Sequence, residues 1–214
     1  MALAIFDLDN TLIHGDSDYL WGKFLIEQKA VNAEHFEKCN EAFYGDYQAG
    51  TLDIMAYQRF SLAPLTAYSM EKLIDWRKTF MQRYILPIYQ STAQAKVDQH
   101  RQQGDQLLII TATNSFVTRP IADLYGIEAL IGTDPEIKDN RFTGEIVGTP
   151  SFQQGKITRL QAWLEQHQQD LAGSYFYSDS HNDIPLLEWV ENPIMVDADP
   201  TLLAYGQTKN WPKL

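Results

Sequence analysis

The chain has 214 residues, of which 44% are hydrophobic and 21% are charged, which is typical of a globular protein with a sizeable core. Its net charge of −11 at pH 7 argues against nucleic-acid and anionic-membrane partners, because no run of lysine or arginine offsets it. The single cysteine, Cys39, cannot form an internal disulfide, and no stretch reaches the roughly 20 apolar residues of a membrane span. We therefore expect a cytoplasmic protein without a signal peptide.

The first predicted element is a short buried strand. Leu3 to Phe6 form an apolar run that is too short for a buried helix, and the run ends at Asp7 and Asp9. Because strand side chains alternate, both aspartates project to the same side at the carboxyl end of the strand, where ligands bind in open α/β sheets. The alternative is a capped turn in which Asp9 or Asn10 closes the backbone and Asp7 faces solvent.

Residues 15–86 contain only helical patterns. Helices are predicted from Asp16 or Ser17 onward and then over 33–47, 52–60 and 66–84, separated by glycines and a proline. A helical insertion at this point would lie over the carboxyl edge of the sheet as a cap domain, with residues 1–14 and 87–214 forming the catalytic core. Asp16 is also a good N-cap for the first cap helix.

From Pro87 onward strands and helices alternate. Strands are predicted over 107–111, 129–132, 175–177 and 194–196. A loop over 112–114 leads into a helix that begins at Ser115 or later, and a hairpin turn is expected at Asp139 and Asn140. These elements predict the α/β class, with a doubly wound, mostly parallel sheet of four or five parallel strands.

Polar side chains follow three of these predicted strands. Asp7 and Asp9 end the first, Thr111 ends the second, and Asp179 and Asp183 follow the strand at 175–177. In a doubly wound sheet these ends share one edge, so we expect four carboxylates to meet in one cleft. Like charges about 4 Å apart repel by roughly 4 kcal/mol per pair even at an effective dielectric of 20. A divalent cation is therefore expected, and ligands that are all oxygen favour Mg²⁺.

Two further features suit a phosphate group. The helix start at Asn114 and Ser115 offers free N–H groups beside Thr111, and such a helix end attracts anions. Lys156, at the start of its own helix, would supply a fixed positive charge for a phosphoryl group. The alternative for Lys156 is a solvated surface lysine.

Together these motifs resemble the haloacid dehalogenase superfamily of phosphohydrolases. In chain order they are D-L-D-N-T at 7–11, Thr111, Lys156 and S-D-S-H-N-D at 178–183. The insertion resembles the C1-type cap of that superfamily, and the T-G-E-I-V hairpin resembles its phosphoserine phosphatase-like branch, subfamily IB. The resemblance implies a Rossmann-like core and a Mg²⁺-dependent phosphomonoesterase that acts on a small phosphorylated metabolite through an aspartyl phosphate.

The resemblance also implies roles for individual residues. Asp7 would be the nucleophile, and Asp9 would protonate the leaving alkoxide and later activate water. Thr111 and Lys156 would hold the phosphoryl oxygens. The implied Mg²⁺ ligands are Asp7, the main-chain carbonyl of Asp9, and Asp179, with Asp183 supporting them.

The expected substrate-binding residues are Asp16, Arg59, Ala112, Thr113, Asn114 and Asn182. In phosphoserine phosphatases a glutamate grips the substrate amino group and an arginine pairs with its carboxylate; Asp16 and Arg59 stand at the matching places. Ala112 and Thr113 replace a glycine pair and crowd the substrate loop.

Several alternatives remain open at this stage. A phosphoserine-like ester would use both Asp16 and Arg59, whereas histidinol phosphate or another amino-alcohol phosphate would pair its ammonium with Asp16 and leave Arg59 idle. Arg59 could also form only a surface ion pair of small value. A non-catalytic phosphate- or partner-binding protein on the same fold is the remaining alternative. For the oligomeric state we expect a monomer or homodimer.

Overall fold

A six-stranded sheet lies at the centre of the computed structural model, which describes residues 2–214. The strands are β1 (Leu3–Phe6), β2 (Gln106–Asn114), β3 (Ala129–Lys138), β4 (Arg141–Val147), β5 (Tyr175–Ser178) and β6 (Asn192–Met195). Their order is β4-β3-β2-β1-β5-β6, and every neighbouring pair is parallel except β3 and β4. The predicted doubly wound α/β sheet is therefore confirmed, with five parallel strands and one antiparallel edge strand.

Nine α-helices surround this sheet within residues 2–214. They are α1 (Ser17–Glu27), α2 (Ala33–Gln48), α3 (Ile54–Leu62), α4 (Met70–Phe80), α5 (Ser91–Gln103), α6 (Ser115–Leu124), α7 (Gln154–His167), α8 (Ile184–Leu187) and α9 (Pro200–Thr208). A π-helical turn, Met81–Ile85, continues α4, so the helix predicted over 66–84 is shorter and less regular than its pattern suggests. Asp139 and Asn140 both have positive φ (48° and 58°) and form the β3–β4 hairpin turn, as predicted.

Strand β1 is buried on both faces of the sheet. Leu3 and Ile5 pack into one apolar cluster, whereas Ala4 and Phe6 pack into the other, because successive side chains point to opposite faces. β1 lies between β2 and β5, and it pairs in parallel with both. The residues that follow β1 therefore emerge at the centre of the carboxyl edge.

Helices α1 to α4 form the insertion that the sequence predicts, and residues 15–86 contain no strand. Its core is aromatic: the Trp21 ring lies 5.3 Å from that of Phe24 and 5.1 Å from that of Phe80. Trp21 also lies 6.0 Å from Phe116 of α6, so this side of the insertion shares one continuous apolar cluster with the sheet. The exact limits of a separate cap domain, 15–86, stay a prediction.

No helix within residues 2–214 is long and apolar enough to cross a membrane. The cytoplasmic location and the monomeric or homodimeric state stay predictions.

A buried histidine connects the start of the chain to the sheet. His100 Nδ1 lies 2.9 Å from Asp105 Oδ2, and its Nε2 lies 2.7 Å from the Tyr177 hydroxyl. The main-chain N–H of Ala2 donates to the other Asp105 oxygen at 3.0 Å. Burial alone would raise the pKa of Asp105, but the hydrogen bonds from His100 and Ala2 outweigh it and lower this pKa below the ordinary 3.8.

The lowered pKa of Asp105 predicts a pH-dependent effect of Asp105→Asn on stability. A carboxyl whose pKa is lower in the folded state stabilises the fold above its unfolded pKa, and this contribution disappears as the pH falls through the folded pKa. Asp105→Asn should therefore lower the free energy of unfolding at pH 7, and the difference from wild type should shrink below pH 3.8. Urea unfolding of both proteins from pH 7 to below pH 3.8 measures the difference in the free energy of unfolding. A difference that does not change with pH would contradict the lowered pKa of Asp105.

Candidate active site

A buried ion-paired triad lies where β1 ends. Lys156 Nζ is 2.8 Å from Asp7 Oδ1 and 2.7 Å from Asp183 Oδ1. The three side chains are between 2% and 8% exposed, so the charges are almost fully removed from water. Burial alone would lower the pKa of Lys156, but the charges of Asp183 and Asp7 raise it above its ordinary value. Lys156 is therefore a permanent cation here, not a solvated surface lysine.

A glycine allows Lys156 to reach this position. Gly155 lies in the first turn of α7, where a Cβ atom would stand only 2.1 Å from the carbonyl oxygen of Pro150. A side chain at residue 155 would thus push the start of α7 away from the Pro150 loop and move Lys156 from the carboxylates.

Asp7 and Asp179 are buried acids that need a compensating charge. Burial raises the pKa of Asp7 to about 7, even though Lys156 opposes the shift. The pKa of Asp179 is also raised well above its ordinary value, first by burial and then by the charge of Asp7. The Asp179 carboxylate accepts a hydrogen bond of 3.2 Å from the Thr11 hydroxyl, which is neutral. No charged side chain within the described chain pairs with Asp179.

Asp9 is held by groups other than Lys156. Its Oδ1 accepts from the main-chain N–H of Ser17 at 2.6 Å, and its Oδ2 accepts from the Thr113 hydroxyl at 2.8 Å. Burial raises the pKa of Asp9 to about 7. Asp9 thus connects β1, the first turn of α1 and the end of β2, and it is held in one orientation.

Strand β2 reaches the cleft through an irregular segment. The pairing with β3 slips between Ile110 and Asn114, so β2 carries extra residues at 111–113. Thr111, Ala112 and Thr113 line the cleft there, as predicted. The sequence analysis instead predicted that the strand ends at Thr111 and is followed by a loop.

Asn114 and Asn182 make more protein contacts than the sequence suggests. Asn114 does not line the cleft; it caps α6 by accepting from the Val117 N–H at 3.1 Å, so the predicted phosphate cradle at this helix end is partly occupied by the protein itself. Asn182 does line the cleft, and its Nδ2 donates to the Tyr47 carbonyl at 3.1 Å. The Tyr47 hydroxyl in turn donates to Ser180 Oγ at 3.1 Å, so α2 is tied to the loop after β5 by polar contacts.

Two acidic side chains of the insertion face the same cleft. Asp16 lines it and also caps α1, where its Oδ1 accepts from the N–H groups of Asp18 and Tyr19, so the predicted cap is formed and the substrate contact stays a prediction. Asp18, which the sequence analysis missed, is 7% exposed and accepts from the Tyr57 hydroxyl at 2.9 Å. Burial raises the pKa of Asp16 to about 6 and that of Asp18 to about 7. The available signal was a second acid in the first turn of α1.

Arg59 is not brought to the cleft. It lies on α3 with an exposed side chain and is absent from the residues that line the cavity, whereas its neighbour Tyr57 lines it. Consecutive helix positions are about 100° apart, so a residue two positions from an inward-facing one points to solvent. The expected contact between Arg59 and the substrate is thus not formed in this structure.

The cleft is narrow, aromatic and acidic. It has a volume of about 60 Å³, and Lys156 is the one lysine or arginine among the residues that line it. Its aromatic wall consists of Tyr19, Phe43, Tyr44, Tyr47, Tyr57 and Phe152. This volume is below the roughly 300–1,000 Å³ of typical ligand sites, so the inner part of the cleft is narrow in this structure.

The residues fit a hard cation, but in a smaller set than predicted. Within residues 2–214, no group of three or more His, Cys, Asp or Glu side chains is arranged to hold a metal. Asp7, Asp9 and Asp183 line one cleft, and the charges of Asp7 and Asp183 raise the pKa of Asp179. However, Lys156 binds Asp183, and Ser17 and Thr113 hold Asp9. Asp7 and Asp179 still supply buried carboxylate oxygens, and the charge of Asp7 raises the pKa of Asp179. A bound cation would offset this repulsion, so the donor chemistry suits Mg²⁺.

The triad predicts a large effect of Lys156→Met on stability. Removal of the cation leaves Asp7 and Asp183 buried without a positive partner, which typically costs about 3–5 kcal/mol. Urea unfolding at pH 8, with a chelator present so that bound metal does not contribute, measures the loss. As a control, Lys78→Met, on the exposed surface of α4, should change stability by no more than about 0.5 kcal/mol. Equal losses of stability in the two variants would contradict the role of Lys156 in stabilising the triad.

Comparisons with known proteins agree with this architecture. The chain is 46% identical to the histidinol-phosphatase of Neisseria meningitidis serogroup C (strain 8013), over 99% of this chain and 97% of that protein. A crystal structure of a protein of unknown function from Bordetella pertussis Tohama I superposes with a TM-score of 0.93 at 41% identity, covering 100% of this chain and 97% of that one.

More distant structures share the fold. A phosphoserine phosphatase with an analogue of its phospho-aspartyl intermediate superposes with a TM-score of 0.68 at 18% identity, covering 95% of this chain and 90% of that one. The sequence also matches the haloacid dehalogenase-like hydrolase family over residues 4–188. Because this match spans most of the sheet and all of the sites described above, the chain belongs to the haloacid dehalogenase-like hydrolase family.

Proposed function

We propose that this hydrolase is a phosphatase whose substrate is an amino-alcohol phosphate such as histidinol phosphate. The observation that carries the choice of substrate is the charge of the cleft. Its one lysine or arginine, Lys156, is already bound to Asp7 and Asp183, so nothing is left to pair with a carboxylate on the substrate. Asp16 and Asp18 instead offer negative charge to an ammonium group.

This charge pattern favours the amino-alcohol alternative over a phosphoserine-like ester. Phosphoserine carries a carboxylate, which would enter an acidic cleft without a partner, whereas histidinol phosphate has an ammonium and an imidazole at that end. The exposed position of Arg59 agrees with a substrate that makes no use of it. The 46% identity with a relative named histidinol-phosphatase supports the same choice.

The reaction begins with the carboxylate of Asp7. One of its oxygens attacks the phosphorus, the bond between phosphorus and the ester oxygen breaks, and an aspartyl phosphate remains. Asp9 gives its proton to the leaving alkoxide, and it then removes a proton from the water that hydrolyses the aspartyl phosphate. The hydrogen bonds from Thr113 and Ser17 would hold Asp9 in one orientation for both proton transfers.

Thr111 and Lys156 would hold the phosphoryl oxygens beside Asp7. Mg²⁺, the cofactor that we propose, would be held by Asp7, Asp179 and the main-chain carbonyl of Asp9, with Asp183 positioned by Lys156 and Ser178. When bound, it neutralises the negative charge shared by the carboxylates and the phosphate. A non-catalytic phosphate-binding protein would have no use for this full set of acids, so we consider that alternative disfavoured.

Asp7→Asn tests the proposed chemistry. An amide cannot act as the nucleophile, so kcat for p-nitrophenyl phosphate should fall by at least ~10³-fold. The variant is close in shape to wild type, so an unchanged thermal melting curve would confirm that it folds. Retention of a near-wild-type rate would exclude Asp7 as the nucleophile.

A substrate comparison tests the proposed specificity. The wild-type enzyme with Mg²⁺ should show kcat/KM for histidinol phosphate about tenfold or more above that for phosphoserine, because the phosphoserine carboxylate loses its solvation without gaining a partner. Arg59→Ala should leave this ratio within about twofold of wild type, as expected for a surface position. Equal rates for the two esters, or a selective loss of phosphoserine hydrolysis in Arg59→Ala, would contradict the assignment.

A further inference from the structure

We propose that Asp18, held in place by Tyr57, is a specificity-determining residue that pairs with a basic nitrogen of the substrate at the end remote from the phosphate. The proposal rests on the proposed function, because it assigns the contact that selects an amino-alcohol phosphate. Sequence resemblance pointed only to Asp16 for this task.

Asp18 is a buried carboxylate without a cation. It is 7% exposed, it lines the cleft, and no lysine, arginine or histidine within residues 2–214 forms an ion pair with it. A buried, unpaired charge is costly, and a positively charged ligand that enters the cleft removes this cost. A role in α1 alone does not require this burial, because an acid in a first helical turn already interacts favourably with the helix dipole when it is exposed to water.

The protein also fixes the orientation of this carboxylate. The Tyr57 hydroxyl donates to Oδ2 at 2.9 Å, and Asn114 Nδ2 lies 3.4 Å from Oδ1. Tyr57 is itself fixed by aromatic contacts, with its ring 5.4 Å from that of Phe43 and 6.4 Å from that of Phe60. A carboxylate on rigid supports loses little rotational freedom when it binds a partner, so it discriminates well between ligands.

Asp16 and Asp18 therefore divide the recognition of a substrate with two nitrogen groups. Asp16 uses Oδ1 to cap α1, whereas neither Asp18 oxygen takes part in a helix cap. Histidinol phosphate carries an ammonium and an imidazole, which matches two acidic positions better than it matches one. The aromatic wall of the cleft offers flat surfaces on which an imidazole ring can pack.

The test compares a nitrogen-bearing ester with a neutral one. We would measure kcat and KM of the Mg²⁺-loaded enzyme for histidinol phosphate and for propyl phosphate, and the inhibition constant of histidinol. In Asp18→Asn the ratio of the two kcat/KM values should fall about tenfold or more, through KM, and the inhibition constant should rise by a similar factor. Asp75→Asn, an exposed substitution on α4, should keep both values at the wild-type level.

A second variant covers the case in which Asp18→Asn fails to fold. Tyr57→Phe keeps the aromatic contacts and removes only the hydroxyl that orients Asp18, so the same ratio should fall by about threefold to tenfold. An unchanged ratio in a folded Asp18→Asn, or in Tyr57→Phe, would overturn the proposal. An equal loss for both esters would also overturn it, because it would show that Asp18 only supports the fold.

The two proposals fail in different ways. A wild-type enzyme that does not prefer histidinol phosphate over propyl phosphate contradicts the proposed function and, with it, the role of Asp18. A wild-type enzyme that shows the preference, together with an Asp18→Asn variant that keeps it, contradicts the role of Asp18 alone.

Discussion

The buried contacts of Lys156 with Asp7 and Asp183 are the interaction on which the site depends. Three chain segments, separated by 149 and 27 residues along the sequence, meet at this one ammonium group. Its charge is what allows two carboxylates to remain close together away from water. The contacts also fix the start of α7 against the segments that follow β1 and β5, so the same ammonium group that pairs with Asp7 ties these segments together.

Most of the fold could be predicted from the sequence because its signals are local. The apolar run at Leu3 to Phe6 and the Asp139-Asn140 turn each allow few structures, and both form as predicted. The irregular end of β2 could not be predicted, since the slip at 111–113 depends on the pairing with β3 and not on the residues themselves. The boundary of the last cap helix was missed for a similar reason, as the π-helical turn is set by packing.

Some residues of the site could be predicted from the sequence, whereas others were placed wrongly or missed. Asp7 and Asp183 were identified because the strand ends of a doubly wound sheet share an edge, and Lys156 because it begins a helix and fits the order of the family motifs. Arg59 was chosen by its position along the chain, but the phase of α3 turns it outward and turns Tyr57 inward. Asp18 was missed because an acid in the first turn of a helix is common without any ligand. Only the three-dimensional contacts with Tyr57 and Asn114 distinguish it from such residues.

The insertion is attached to the sheet in two chemically different ways. On the side of α1 and α4, Trp21 and Phe116 share an apolar cluster that water cannot replace without a large loss of stability. On the side of α2, Tyr47 is joined to Ser180 and Asn182 by hydrogen bonds that water can take over at little cost. If the insertion opens, the hydrogen-bonded side at α2 therefore separates at a lower cost in free energy than the apolar side at α1 and α4.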